Sequence, residues 1–292
     1  MLKNFKLEQK TVNGVSINFR HGGKGPPLLL MHGFPQTHVI WHKVADQLAQ
    51  HFTLVMPDLR GYGDSDKPRG TADHGNYSKR VMAQDMVELM HALDYETFDV
   101  CGHDRGGRVA HRLTLDHPSC VKKLMIIDIS PTRTMFEKTD QAFANVYYHW
   151  FFLSQPYPLP ETLIGNNAEF FIDYSLGSLG AKNGTEFFGA EAMAEYRRCF
   201  CQPDMIHAGC EDYRAAATID LVHDRDHEEN KIACPLHIVW GEHGVVGKLF
   251  TPLADWQEKA SVTVTGTALP AGHFIPDQVP ELLLEEMMRF FK

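Results

Sequence analysis

Residues 100–112 read VCGHDRGGRVAHR, and the fold turns on how they are read. The apolar approach FDVCG (residues 98–102) predicts a strand. GGRVAHRLTLDH (residues 106–117) predicts a helix that stops before Pro118, whose ring cannot continue it. Between them, Gly102, His103, Asp104, Arg105 and Gly106 span a sharp turn. In the strand–turn–helix frame G-x-S-x-G the central position carries a serine nucleophile. Here Asp104 holds that position, with Arg105 and Arg108 beside it.

Outward from the turn, short apolar runs alternate with helical spacing. PPLLLM (26–31) reads as a buried strand ending at HGFPQ, and HFTLVMPDL (51–59) as another, ending at RGYGDSDKP. KLMIIDIS (123–130) is a strand closed by Pro131, VSINFR (15–20) alternates like a strand, and PLHIVWGE (235–242) and SVTVTGTAL (261–269) resume the pattern. Apolar positions from Ser78 to about Leu93 recur at helical spacing, with Ser78 as N-cap. VPELLLEEMMRFFK (279–292) predicts an amphipathic helix with Pro280 in its first turn.

This alternation predicts an α/β protein, a mostly parallel sheet with helices on both faces and its active edge at the strands' carboxyl ends. The stretch from Thr132 to Val222 is rich in aromatics (VYYHWFFL, EFFIDY, EYRRCF) and offers no clear buried strand. It reads as an inserted helical cap. The expected organisation is therefore a core in two parts, residues 1–131 and 223–292, interrupted by a cap at 132–222.

An aspartate at the turn points to chemistry at saturated carbon. Serine attacking such a carbon would leave an ether, a dead end, whereas a carboxylate leaves an ester that water can cleave. The carboxylate is already ionised at neutral pH, so the first step needs no base. His273, in GHF after the last strand, is the expected base for ester hydrolysis. Asp128, at the end of KLMIIDIS, is the favoured partner for its imidazole, with Glu242 as the alternative. The backbone N–H groups of Phe34 and Arg105 are expected to form the oxyanion hole. Arg105 and Arg108 can face one pocket and hold a substrate carboxylate, guanidinium being suited to bidentate binding. The competing expectation is that they pair with structural acids such as Asp128.

The 292 residues are 43% hydrophobic and 22% charged, with net charge −9. That balance speaks against a nucleic-acid or anionic-membrane binder, and no apolar run approaches the roughly 20 residues of a membrane span. The opening residues lack the apolar region of a signal peptide, and six cysteines without a C-x-x-C pair read as reduced thiols, so a cytoplasmic protein is expected. His223 and His227 in HDRDH, like His38 and His42, have i, i+4 spacing without further metal-ligand context, and no metal is expected. GHDRGG is not the G-x-G-x-x-G dinucleotide fingerprint.

The order HGFP, GHDRGG, GHF resembles the α/β-hydrolase superfamily over almost the whole chain. GHDRGGRVAHR, LDHP, DISPT, YHWFFL, CEDYRAAATIDLVHD and the final GHF together resemble the fluoroacetate dehalogenases. That resemblance implies an α/β-hydrolase fold, halide displacement by Asp104, base and acid at His273 and Asp128, and a substrate carboxylate held by Arg105 and Arg108. It also implies a halide cradle of His149, Trp150 and Tyr213, no cofactor, a small anionic haloacid as substrate, and a homodimer. Indole, phenol and imidazole donors suit a leaving halide on chemical grounds as well. One departure is Leu179, which falls where relatives carry a tryptophan and implies a wider pocket near the halide. The alternatives are an epoxide hydrolase using the same aspartate, with Tyr147, Tyr148 and Tyr213 as proton donors, and a non-catalytic ligand-binding homologue. A haloalkane dehalogenase usually has a tryptophan directly after the aspartate, where this chain has Arg105.

Overall fold

Leu28, Leu29, Leu30 and Met31 are all fully buried, yet they alternate between two separate apolar clusters. Leu29 and Met31 join one with Val55, Val100 and Ile126, while Leu28 and Leu30 join the other with Leu54, Cys101 and Met125. A strand covered on both faces must be apolar at every position, which is why PPLLLM shows no alternation. The protein is described here from a computed structural model covering residues 1–179 and 184–292.

The strands are β1 (Lys6–Val12), β2 (Val15–Gly23), β3 (Pro27–Met31), β4 (Thr53–Pro57), β5 (Phe98–His103), β6 (Val121–Ile127), β7 (Leu236–Gly241) and β8 (Thr265–Leu269). They form one sheet in the order β1-β2-β4-β3-β5-β6-β7-β8. β1 pairs antiparallel with β2, and β2 with β4; every later neighbour pair, from β4–β3 to β7–β8, is parallel. The α/β reading holds.

Two details differ from expectation. β1 was not anticipated; it is joined to β2 by Asn13 and Gly14, both at positive φ (45° and 77°), the hairpin geometry that an Asn-Gly pair favours. β8 begins at Thr265 rather than Ser261. Val262 and Val264 are only half-buried beyond the end of the ladder, so their alternation did not signal a paired strand.

The turn after β5 forms as read. Asp104 sits at φ 46°, ψ −115°, and the helix Arg105–Asp116 follows at once. A Cβ on Gly106 would lie 2.4 Å from the His32 carbonyl oxygen, so only glycine lets this helix start so close to β3. Helix Lys79–His91 is capped by Ser78, whose side chain accepts from Val81 N–H. The last helix, Pro280–Phe291, begins on Pro280. Between β6 and the segment leading to β7, every regular element among the described residues is helical, from Thr132–Glu137 to Ile219–Asp226. Among the described residues no helix is long and apolar enough to cross a membrane.

Candidate active site

Asp104, Asp128 and His273 lie just beyond β5, β6 and β8, so the parallel strands bring their carboxyl ends, and these residues, together. Asp104 is 4% exposed. Its Oδ2 accepts the Phe34 N–H at 3.0 Å. A Cβ on Gly33 would stand 2.5 Å from the Asp104 Cβ, so the HGFP turn closes onto the carboxylate only because residue 33 is glycine. Oδ1 has no hydrogen-bond partner among the described residues and is the free oxygen. Burial opposes ionisation of Asp104, but His273, Arg108 and Arg105 outweigh it and hold its carboxyl below the ordinary range.

His273 Nδ1 and Asp128 Oδ2 are 2.6 Å apart, which leaves Nε2 as the proton-accepting nitrogen. Asp128 has φ 53°, tolerated by aspartate, and its Oδ1 accepts the Gly241 N–H at 2.9 Å. The carboxylate therefore ties the end of β7 to the imidazole. Burial resists charging of His273, yet the Asp128 hydrogen bond and the charges of Asp128 and Asp104 raise its basicity above that of an ordinary histidine. The His273 backbone is fixed on both sides. Its N–H donates to the Leu179 carbonyl at 3.1 Å, and its carbonyl accepts from His103 Nε2 at 2.8 Å. Burial lowers His103 to about 3, so this ring stays neutral. Glu242, the alternative partner, is 48% exposed and pairs with His243 instead.

Helical rings cover the turn. His149 stacks on Phe34 at 6.5 Å and 7°, Tyr213 meets Phe34 edge-on at 5.2 Å, and Trp150 lies 6.4 Å from Tyr213. Burial lowers His149 to about 3, leaving a neutral imidazole. Burial, and then the Asp104 charge, keep Tyr213 protonated. Tyr147 is likewise buried, and the charges of Asp128 and Asp104 hold its phenol in the O–H form.

The two arginines part company here. Arg105, fully buried, gives Nε and Nη2 to Asp212 (2.9 and 2.8 Å) and lies 4.3 Å over the Tyr213 ring. Its acid is thus Asp212, not Asp128, and only Nη1 lacks a partner. Among the described residues Arg108 donates only to neutral acceptors, Ser130 O (3.3 Å), Thr132 Oγ1 (2.9 Å) and Met135 Sδ (3.3 Å), and it sits 4.6 Å over the Trp150 ring. Burial, then the neighbouring Arg105, lowers its pKa to about 10. Arg108 Nε and Trp150 Nε1 are further buried donors without partners among the described residues. A buried, unpartnered donor costs about 1–3 kcal/mol, a cost that an acceptor brought by a ligand would relieve.

The expected Arg105 half of the oxyanion hole is not matched by a hydrogen bond to Asp104 among the described residues; only the Phe34 half is. Leu179 meets His273 through its backbone, while its side chain lines a surface cavity of about 240 Å³ with Ala142, Val146, Val245 and Leu249. Leu179 also packs against the apolar cluster that contains Trp150 and Tyr213. Sequence reading passed over Asp212, Lys79 and Tyr62, which meet behind Arg105, and His103, which braces the base loop. Asp212 directly precedes Tyr213; both face inward because helix Pro203–Ala217 is buried on nearly every side from Met205 to Ala216.

Glu161, His207 and Glu211 place ligand atoms within 4.8 Å of one another, but Arg214 donates to both carboxylates at 2.6–3.0 Å, making this a salt-bridge network. His227, from the HDRDH stretch, lies 2.9 Å from an Arg112 nitrogen.

Residues 26–277 match the family described as alpha/beta hydrolase fold. Fluoroacetate dehalogenase of Burkholderia sp is 43% identical over 281 residues, covering 96% of this chain and 92% of that protein. Soluble epoxide hydrolase of Corynebacterium sp. (strain C12) is 32% identical, covering 97% and 96%. The solved structure of ALR0039 from Nostoc sp PCC 7120, described as a candidate alpha/beta hydrolase, superposes with a TM-score of 0.98 at 53% identity, covering 100% of this chain and 99% of that one.

Proposed function

Because the chain belongs to the alpha/beta hydrolase superfamily and, within it, to the fluoroacetate dehalogenase family, we propose that it hydrolyses short 2-haloacids to 2-hydroxyacids and halide. Asp104 Oδ1 attacks the halogen-bearing carbon; the carbon–halogen bond breaks and the halide leaves with its electron pair. His273 Nε2 then takes a proton from water, whose oxygen adds to the Asp104 ester carbonyl. The Phe34 N–H, on Oδ2, stabilises the developing oxyanion. The tetrahedral intermediate collapses, the hydroxyacid oxygen leaves with the proton from His273, and the regenerated Asp104 carboxyl loses a proton to solvent. Arg108 receives the substrate carboxylate, and His149, Trp150 and Tyr213 donate to the departing halide. In this reading residues 132–222 are the cap of a core made of 1–131 and 223–292.

The observation that carries the reading is Arg108, a buried cation that feels the Asp104 charge but has no ion-pair partner among the described residues. A substrate carboxylate supplies the missing partner, which an uncharged epoxide does not. The second reading, an epoxide hydrolase, draws support from Tyr147 and Tyr213, two buried protonated phenols near Asp104. Incubation with chloroacetate, fluoroacetate and a neutral epoxide separates them. The haloacid reading expects halide release, no diol, and, in a single turnover in ¹⁸O-water, label in Asp104. Diol formation without halide release transfers the assignment to the epoxide.

A further inference from the structure

Asp212 is saturated with donors. Its Oδ1 accepts from Lys79 Nζ and Arg105 Nη2, and its Oδ2 from Tyr62 O–H (2.5 Å) and Arg105 Nε (2.9 Å). Arg105 Nη2 also reaches the Asp212 carbonyl at 2.9 Å. Lys79 is shared with Asp220 at 3.6 Å. Two cations and two carboxylates thus balance behind the turn, all of them at most 5% exposed. Arg105 is held flat against Tyr213 with one nitrogen left over, and its charge is met from behind.

We propose that Asp212 is a positioning residue that keeps Arg105 off the nucleophile. Arg105 is one of the charges that act on Asp104, and a direct guanidinium pair on Asp104 would stabilise the anion that has to attack. With Asp212 in place, Arg105 offers a directed N–H from a guanidinium whose charge is already paired, and Arg108, which has no paired acid among the described residues, carries the larger share of the charge that meets the substrate. The division of labour rests on the haloacid reading above, but the charge balance itself does not.

Asp212→Asn keeps the shape and removes the charge, and Lys79→Met removes the second cation on the same carboxylate. Acetate, an unreactive carboxylate, is the binding probe, followed by calorimetry; chloroacetate reports turnover. Asp212→Asn is expected to bind acetate about tenfold more tightly, the scale set by one charge several ångströms away, while its maximal rate of halide release falls by about tenfold or more. Lys79→Met is expected to shift acetate affinity the other way. A purely structural role would weaken binding and turnover together. Weaker acetate binding in Asp212→Asn, unchanged halide release, or a shift of the same sign in both variants overturns the proposal, as does a wild type that binds no acetate. If Asp212→Asn does not fold, the sign of the Lys79→Met effect decides. A wild type that binds acetate but releases no halide refutes the haloacid reading, and the acetate titrations still judge Asp212.

Discussion

The two sides of the candidate site are finished to different degrees. On the sheet side, the polar atoms that position the reacting groups are committed: Asp104 Oδ2 to Phe34, both oxygens of Asp128 to Gly241 and His273, and the His273 backbone to Leu179 and His103. The donors on the receiving side, Arg105 Nη1 and Arg108 Nε on the helix after the turn and Trp150 Nε1 against Arg108, are buried and unpartnered among the described residues. In the proposed haloacid reaction, attack and hydrolysis would be prepared by bonds that exist before substrate arrives, and the receiving side would be completed by what binds. This is economical for catalysis: donors that gain partners only on binding act on the substrate rather than on the resting protein.

The largest test of that contrast is on the committed side. His273→Asn should leave the attack intact and stop hydrolysis, lowering turnover by about 10²–10⁴. Intact-protein mass after chloroacetate should then rise by the acid minus its halide, localised to Asp104; an unmodified Asp104 would place His273 before the first step. On the receiving side, Arg108→Ala removes the charged partner of the substrate, an expected loss of about 2–5 kcal/mol in kcat/KM for haloacetate. Haloacetamide, which lacks the charge, should be slow in the wild type and change little in the variant.

Trp150→Phe keeps the ring under Arg108 and deletes one donor. Rates should fall by about 10–100-fold, less than an oxyanion-hole deletion at its strongest. The fall should be greater for fluoroacetate than for chloroacetate, because fluoride is the poorer leaving group; competition kinetics on the two acids give the ratio. The smallest effect concerns pH. His273 works as a base only when neutral, so ester hydrolysis is lost as pH falls through its pKa. Part of what raises that pKa is the Asp104 charge, and esterification removes it. The apparent pKa of hydrolysis should therefore lie below the His273 pKa measured by NMR in the free protein; equal values would mean that Asp104 does not act on the imidazole.

The committed side was legible from the strands alone, whereas His149, Trp150 and Tyr213 came only from the resemblance. Buried parallel strands write themselves as apolar runs, and side chains at their ends inherit positions that a linear reading can count, which is how Asp104, Asp128 and His273 came to be read as one cluster. Asp128 prevailed over Glu242 because it closes β6, whereas Glu242 points to solvent. The receiving side depends on which faces of the helices meet, and a helix buried on all sides, such as Pro203–Ala217, has no polar face to announce its orientation. Asp212 was invisible for that reason. A side chain 107 residues from Arg105 in sequence leaves no periodic trace. β1 is a different case: its strand is mostly exposed, but the Asn13-Gly14 turn was there to be read.

The bond from His273 N–H to the Leu179 carbonyl reaches from the loop after β8 to the end of helix Ala168–Ser178, in the helical stretch between β6 and β7 that is proposed as a cap. Chimaeras that exchange the inserted helices between relatives to alter substrate choice would therefore not be simple transplants. A donor segment that ended one residue early would free the backbone beneath the base and detune hydrolysis, even with every ring of the pocket correctly replaced. The segment to exchange is one that carries its own carbonyl to that position.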